Sequence, residues 1–257
     1  MVLELLGLYL YSYLAGSVPT AYLIARVVKG IDIREYGSGN VGGSNVIRQL
    51  GKKWAMPLAG IEFILKGLSP VLFAYLLAEQ SSELQRTSAL FLLPPLIALA
   101  GNNWSVFLGF QGGRGLMVVC GMLIALVPLL FLVAISIYLV GWRVSKSSAV
   151  WALIALLLLP VLPHLPGGAL ALDWPGLWNW VANGPQIQVP PAQIVAISWF
   201  GVAILGLVVA KRLMSNTLRF PEDTSRSGVM LNRLVHDRDV DNREVWVSRA
   251  PDHSEKD

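Results

Sequence analysis

Apolar runs of membrane-crossing length set the first limit on what this chain can become. Leu5 to Val28 and Trp54 to Leu77 are two of them, each near the ~20 residues a helix needs to cross a hydrocarbon core. In that medium each segment must satisfy its own backbone hydrogen bonds, so such runs are helices. Further runs cover Thr87 to Phe107, Leu116 to Trp142, Ser147 to Leu162 and Ile194 to Ala210. Charged residues are only 14% of the sequence, against about 25% in soluble domains. The expectation is an all-α polytopic membrane protein. A formal charge of +4, borne mostly by loops, gives no reason to expect nucleic acid as a partner. The single cysteine, Cys120, excludes an intrachain disulfide framework. The first charge is Glu4 and the first basic residue Arg26, so the first run reads as a span and not as a cleavable signal.

Basic residues orient the spans. Arg26, Lys29 and Arg34 follow the first run and none precede it, which puts the N-terminus outside and the following loop in the cytoplasm. Gly16 and Ser17 allow close helix packing there, and Pro19 predicts a kink. In the second run Glu62 and Lys66 share a helix face. Two readings stand for them: a structural pair with a snorkelling lysine, or a functional pair facing a cavity. Leu116 to Trp142 is long for one span and short for two. Arg143 and Lys146 at its end match Arg114 at its start, which favours a hairpin broken at Val127-Pro128. Each arm would then have about 13 residues, roughly 20 Å of helix. The sum is a compact bundle of about seven transmembrane helices with the C-terminus cytoplasmic. Residues 163–193 form an outer segment with Trp174, Trp178 and Trp180 as an interfacial belt. Residues 1–220 read as the membrane domain and 221–257 as a polar cytoplasmic tail, disordered or holding a small amphipathic segment from Arg226 on.

Between the first two spans lies Tyr36-Gly-Ser-Gly-Asn-Val-Gly-Gly-Ser-Asn-Val-Ile-Arg48. Its glycines, Gly37, Gly39, Gly42 and Gly43, let backbone N–H groups converge on one point. Ser38, Asn40, Ser44 and Asn45 add side-chain donors, and Arg48 adds a planar charged fork for phosphate or carboxylate. Taken alone, the stretch also reads as a flexible turn. A second such stretch follows the third span: Asn102 and Asn103, then Gln111, Gly112, Gly113 and Arg114. Span parity returns it to the same membrane face, and two donor-rich loops with arginines on one face form a stronger signal than either. Asn102 also admits a bland reading, as a cap or an interhelical hydrogen bond.

These loops resemble the bacterial acyl-phosphate:glycerol-3-phosphate acyltransferase family, whose members are compact seven-helix membrane enzymes. The resemblance starts at Gly16-Ser17-Val18-Pro19 and is most specific over Asp32 to Arg48, close to D-I-R-x-x-G-S-G-N-x-G-x-[ST]-N-x-x-R. It continues at Lys66-Gly67, at Gly101 to Gly115, at Arg143-Val144-Ser145 and, weakly, at Arg212 to Arg219. Departures are clear. The family's two histidines fall on Asn102 and Leu213, its second-motif lysines on Gln111 and Arg114, and its proline on Ser105. Its acid three residues before the lysine falls on Phe63, with Glu62 one place earlier.

The resemblance implies transfer of a fatty acyl group from acyl phosphate to the sn-1 hydroxyl of glycerol 3-phosphate, giving lysophosphatidic acid and phosphate. It implies a multi-pass protein of the bacterial cell (inner) membrane, with the lipid bilayer around it and an acyl-phosphate-forming enzyme upstream. No cofactor, CoA, metal or covalent intermediate is expected. Ser38, Asn45 and Arg48 would hold the acyl phosphate head while glycine N–H groups stabilise developing charge. Lys66, Arg114, Ser147 and Asn216 would position glycerol 3-phosphate. Ser38, Arg48 and Lys66 carry the catalytic roles, and the remaining residues of both loops bind substrate. Two other readings are a silent homologue that binds acyl phosphate or phospholipid, and a small organic-anion transporter. A transporter calls for ionisable residues at mid-membrane on broken helices, whereas most polar groups here lie in loops.

Overall fold

The structure, a computed structural model, describes residues 2–79, 88–165, 194–216, 225–238, 242 and 244. The outer tryptophans Trp174, Trp178 and Trp180, and Arg219, lie outside the described residues. Among the described residues the regular elements are all helices, joined by loops, with one isolated bridge between Ser105 and Gln111.

Helix α1 (Val2–Ser17) and α2 (Thr20–Lys29) are separated at Val18-Pro19, so the expected kink is a full break. Proline lacks the N–H that would continue the ladder. Loop one then leads into α3 (Gly43–Leu50) and α4 (Ala55–Ile61). A π-helical segment, Glu62–Leu68, joins α4 to α5 (Ser69–Ala78). Next come α6 (Ser88–Asn103), α7 (Leu116–Leu126), α8 (Pro128–Ser145), α9 (Ser148–Leu158), α10 (Ile194–Met214) and α11 (Arg226–His236). Among the described residues, four stretches are long and apolar enough to cross a membrane: Val2–Lys29, Lys52–Ala78, Pro128–Ser145 and Val195–Met214. Three shorter apolar helices accompany them: Leu90–Asn103, Leu116–Leu126 and Ser148–Leu158. Val27, Leu3, Met56 and Trp199 stand well exposed, as lipid-facing side chains do.

Packing fixes the directions. Leu8 joins Leu90 and Phe91 in one buried cluster, while Ser17 donates to Gly101 O and accepts from Ser105. Helices α1 and α6 therefore run parallel, and both glycine-rich loops leave the same end of the bundle. Gly16 makes this approach possible, since a Cβ there would meet Ala98 O at 2.0 Å. Lys66 pairs with Asn102 and Tyr75 with Phe91, so α5 runs the other way. Asn103 bonds Leu207 O, which brings the C-terminal end of α10 to the loop end as well. The chain turns back at Val127, giving α7 of 11 residues and α8 of 18 instead of two equal arms. Buried Val118, Met122, Leu130, Leu156, Ile197 and Ile204 fill the core between these helices.

Candidate functional site

One side chain holds the two loops together. Asn216 Nδ2 donates to Gly39 O at 3.1 Å in loop one and to Gly112 O at 2.9 Å in loop two. Its Oδ1 accepts from Gly112 N at 3.3 Å and from Lys211 Nζ at 2.8 Å. A primary amide is the one side-chain group that offers two donors and an acceptor in such an arrangement. Loop two can come this close only as glycine. A Cβ on Gly112 would meet Asn102 O at 2.2 Å, and one on Gly113 would meet Val41 O at 2.5 Å.

Loop one is braced from inside. Gly37 and Gly39 adopt φ of 55° and 66°, the left-handed region that favours glycine. Buried Ser38 accepts from Asn40 N at 3.3 Å. The Asn45 amide nitrogen lies 3.0, 2.9 and 3.2 Å from the carbonyls of Ile33, Tyr36 and Asn40. That amide is committed to shaping the loop. Gly42, the residue before α3, offers no side-chain cap, so the first N–H groups of that helix are left to other acceptors. Exposed Ser44 and half-buried Arg48 lie four residues apart, on one face of α3.

Behind the loops sits a buried polar cluster. Lys66 Nζ donates to Asn102 Oδ1 at 2.8 Å and stands 3.5 Å from Glu62 Oε1. Thr20 Oγ1 donates to the same Glu62 oxygen at 3.0 Å. Lys66 is 2% exposed and Glu62 6%, so the lysine does not snorkel. Asn102 makes the interhelical bond of its bland reading, and makes it to the lysine singled out as functional.

Arg34 links the loops a second time. Its guanidinium grips Asp32 through Nε and Nη2 and donates from Nη1 to Gln111 Oε1 at 3.2 Å. The Arg34 hydrogen bond holds the Asp32 carboxyl below its ordinary 3.8 although burial opposes this, and Asp32 in turn raises Arg34. Asp32, Arg34, Glu35, Gln111 and Asn216 line a polar cavity of about 300 Å³. At the far side, Arg114 forms an ion pair with Asp237 just past α11, and its Nη2 donates to Asp237 O at 3.2 Å. Arg212 Nε approaches the same carboxylate at 3.8 Å. Ser147 stands at the α8–α9 turn, its N–H bonded to Ser145 Oγ, two residues before the Ala149 carbonyl that accepts Arg212.

Asn216, Gly39 and Gly112 thus meet directly, Gln111 lines the same cavity as Asn216, Gly113 packs against Asn102 and Val41, and Lys66 meets Asn102 behind them. Three contributors escaped the sequence reading. Arg212, 1% exposed, entered there only as the first residue of the weak Arg212 to Arg219 stretch, and Lys211 was assigned no role. Asp237 gave no signal among the alternating charges of the tail. Arg34 was visible within its motif, and its bond to Gln111 was not.

A family profile described as glycerol-3-phosphate acyltransferase matches residues 6–219. Glycerol-3-phosphate acyltransferase 4 of Dehalococcoides mccartyi strain CBDB1 is 31% identical over 237 residues, covering 92% of this chain and 90% of that protein. The glycerol-3-phosphate acyltransferase of Desulforudis audaxviator is 39% identical over 156 residues, 61% of this chain and 74% of that one. The crystal structure of PlsY (YgiH), an integral membrane glycerol 3-phosphate acyltransferase, in its glycerol 3-phosphate form, matches with TM-score 0.58 and 25% identity. That match covers 81% of this chain and 88% of that one. With both loops, Lys66 and Asn216 inside the matched span, the chain belongs to the glycerol-3-phosphate acyltransferase family.

Proposed function

We propose that this protein transfers a fatty acyl group from acyl phosphate to the sn-1 hydroxyl of glycerol 3-phosphate, giving lysophosphatidic acid and phosphate. The observation that carries the reading is Asn216 binding Gly39 and Gly112 together, which makes one anion site of two donor-rich loops. Both substrates carry phosphate, and the spans supply the apolar surface an acyl chain needs. In this reading seven helices cross the bacterial inner membrane with the N-terminus outside, and the site faces the cytoplasm, where an acyl-phosphate-forming enzyme supplies the donor. Residues 1–220 form the catalytic domain and 221–257 the tail.

Ser38, Ser44, Arg48 and the N–H groups around Gly42 and Gly43 grip the donor phosphate, with Asn45 holding the loop in shape. Lys66, Arg114 and Ser147, with Gln111, hold glycerol 3-phosphate, and Asn216 keeps the two loops together around it. The hydroxyl oxygen attacks the acyl carbonyl carbon, and backbone N–H groups stabilise the oxyanion. The bond from that carbon to the phosphate oxygen then breaks, and the departing phosphate takes the hydroxyl proton. Orientation of two bound anions supplies much of the rate.

The test is purified protein with acyl phosphate and labelled glycerol 3-phosphate. Lysophosphatidic acid should form, Ser38→Ala and Arg48→Ala should each lose most activity, and replacing all three histidines should leave turnover in place. Full activity in either single variant would remove the site. One observation favours a second reading, a homologue that binds without turnover: Arg114 already engages Asp237. Phosphate binding without product in the same assay would select it.

A further inference from the structure

The tail's Asp237 holds the Nε/Nη2 edge of Arg114, an edge whose geometry suits phosphate. Its carboxylate pairs with Arg114 Nε and its backbone carbonyl accepts from Nη2, the two parallel donors by which arginine binds phosphate oxygens. The same carboxylate oxygen lies 3.8 Å from Arg212 Nε. Beside them Lys211 reaches the Asn216 oxygen that also accepts from Gly112 N. Three cations therefore gather at the loop end: Arg114 and Arg212 face the Asp237 carboxylate, and Lys211 faces the Asn216 amide oxygen.

Other contacts seat α11. Arg212 Nη1 donates to Leu234 O at 2.8 Å, Arg233 Nη1 to Leu213 O at 3.1 Å, and Val229 is fully buried. None of these uses the Asp237 side chain, so its carboxylate can leave while the helix stays. Asp237 itself sits at φ 61°, its N–H bonded to Asn232 O, in the turn that ends α11.

We infer that Asp237 is a specificity-determining residue, a tethered carboxylate that the phosphate of glycerol 3-phosphate must displace from Arg114. This rests on the reading that Arg114 binds that phosphate. A tethered group competes at high effective concentration. A singly charged anion gains little by replacing it, whereas a phosphate dianion brings a second charge to a cluster of three cations. The apparent affinity for substrate is reduced by the fraction of time the latch is open.

The experiment uses the full chain as Asp237→Asn and Asp237→Ala. At saturating acyl phosphate, the KM for glycerol 3-phosphate should fall by about three- to tenfold, with kcat little changed. The concentration of inorganic phosphate giving half-maximal thermal stabilisation should fall by the same factor. A KM and a phosphate midpoint that stay the same or rise in both variants would overturn the proposal. The phosphate titration needs no turnover, so an inactive wild-type protein would sink the acyltransferase reading while the titration still judges the latch.

Discussion

Lys66 Nζ donates to Asn102 Oδ1 at 2.8 Å, tying the π-helical segment to the end of α6. The same ammonium stands 3.5 Å from Glu62, which also accepts from Thr20. Both ions are buried, so removing one strands the other in a medium that cannot hydrate it. Glu62→Gln and Lys66→Met should each destabilise the fold by about 3–5 kcal/mol. The double variant Glu62→Gln/Lys66→Met should recover part of that loss, because no charge is left behind. Thermal unfolding in detergent measures it, and a double variant as unstable as the sum of the singles would refute the coupling.

Asn216 makes four hydrogen bonds, two of them donated to carbonyls of different loops. Asn216→Asp keeps the shape and turns both donors into repulsion against Gly39 O and Gly112 O. Its turnover should drop by about a hundredfold or more, since loop displacements near 1 Å carry costs of that order. Melting should change far less, as the helix packing is untouched. A variant with normal KM and kcat would show that the loops do not depend on this residue.

Gly112 and Gly42 separate steric need from mere glycine content. A Cβ at Gly112 would meet backbone oxygens of Asn102 and Asn103 at 2.2 and 2.6 Å, while one at Gly42 would meet nothing within 4 Å. Gly42 also has φ −164°, which any residue adopts. Gly112→Ala should therefore destabilise the protein clearly, and Gly42→Ala should leave the melting temperature within a degree or two of wild type. Equal melting temperatures for the two variants would contradict the close approach.

What the sequence disclosed follows from how local each signal is. The long apolar runs announce their helices through composition alone, and the break at Val127-Pro128 follows from proline chemistry. Glycine spacing marks both loops because close approach and left-handed backbone leave few other residues. The π-helical register at Glu62–Leu68 left no trace, since one added residue per turn keeps an apolar pattern apolar. The pairing of Arg34 with Gln111, 77 positions apart, is a property of the assembled bundle. The inward turn of the Asn45 amide was equally hidden: a donor-rich motif does not say which donors face the ligand and which hold the loop. Asp237 is one acid among many in the tail, and only the packing of α11 singles it out.

Asp32 provides the pH test. Arg34 bonds its carboxylate from the backbone N–H at 3.0 Å and from Nη2 at 2.6 Å, and the carboxyl is held below its ordinary value of 3.8. A depressed carboxyl stabilises the folded state above its unfolded value, and that contribution disappears as pH falls through the folded value. The difference in melting temperature between wild type and Asp32→Asn should therefore stay constant from about pH 8 to about pH 5 and close only below about pH 4. Because Arg34 also reaches Gln111, the same variant should loosen loop two and raise the KM for glycerol 3-phosphate at neutral pH. A difference that already closes near pH 6 would mean that another group, and not the Asp32 carboxylate, governs this corner of the site.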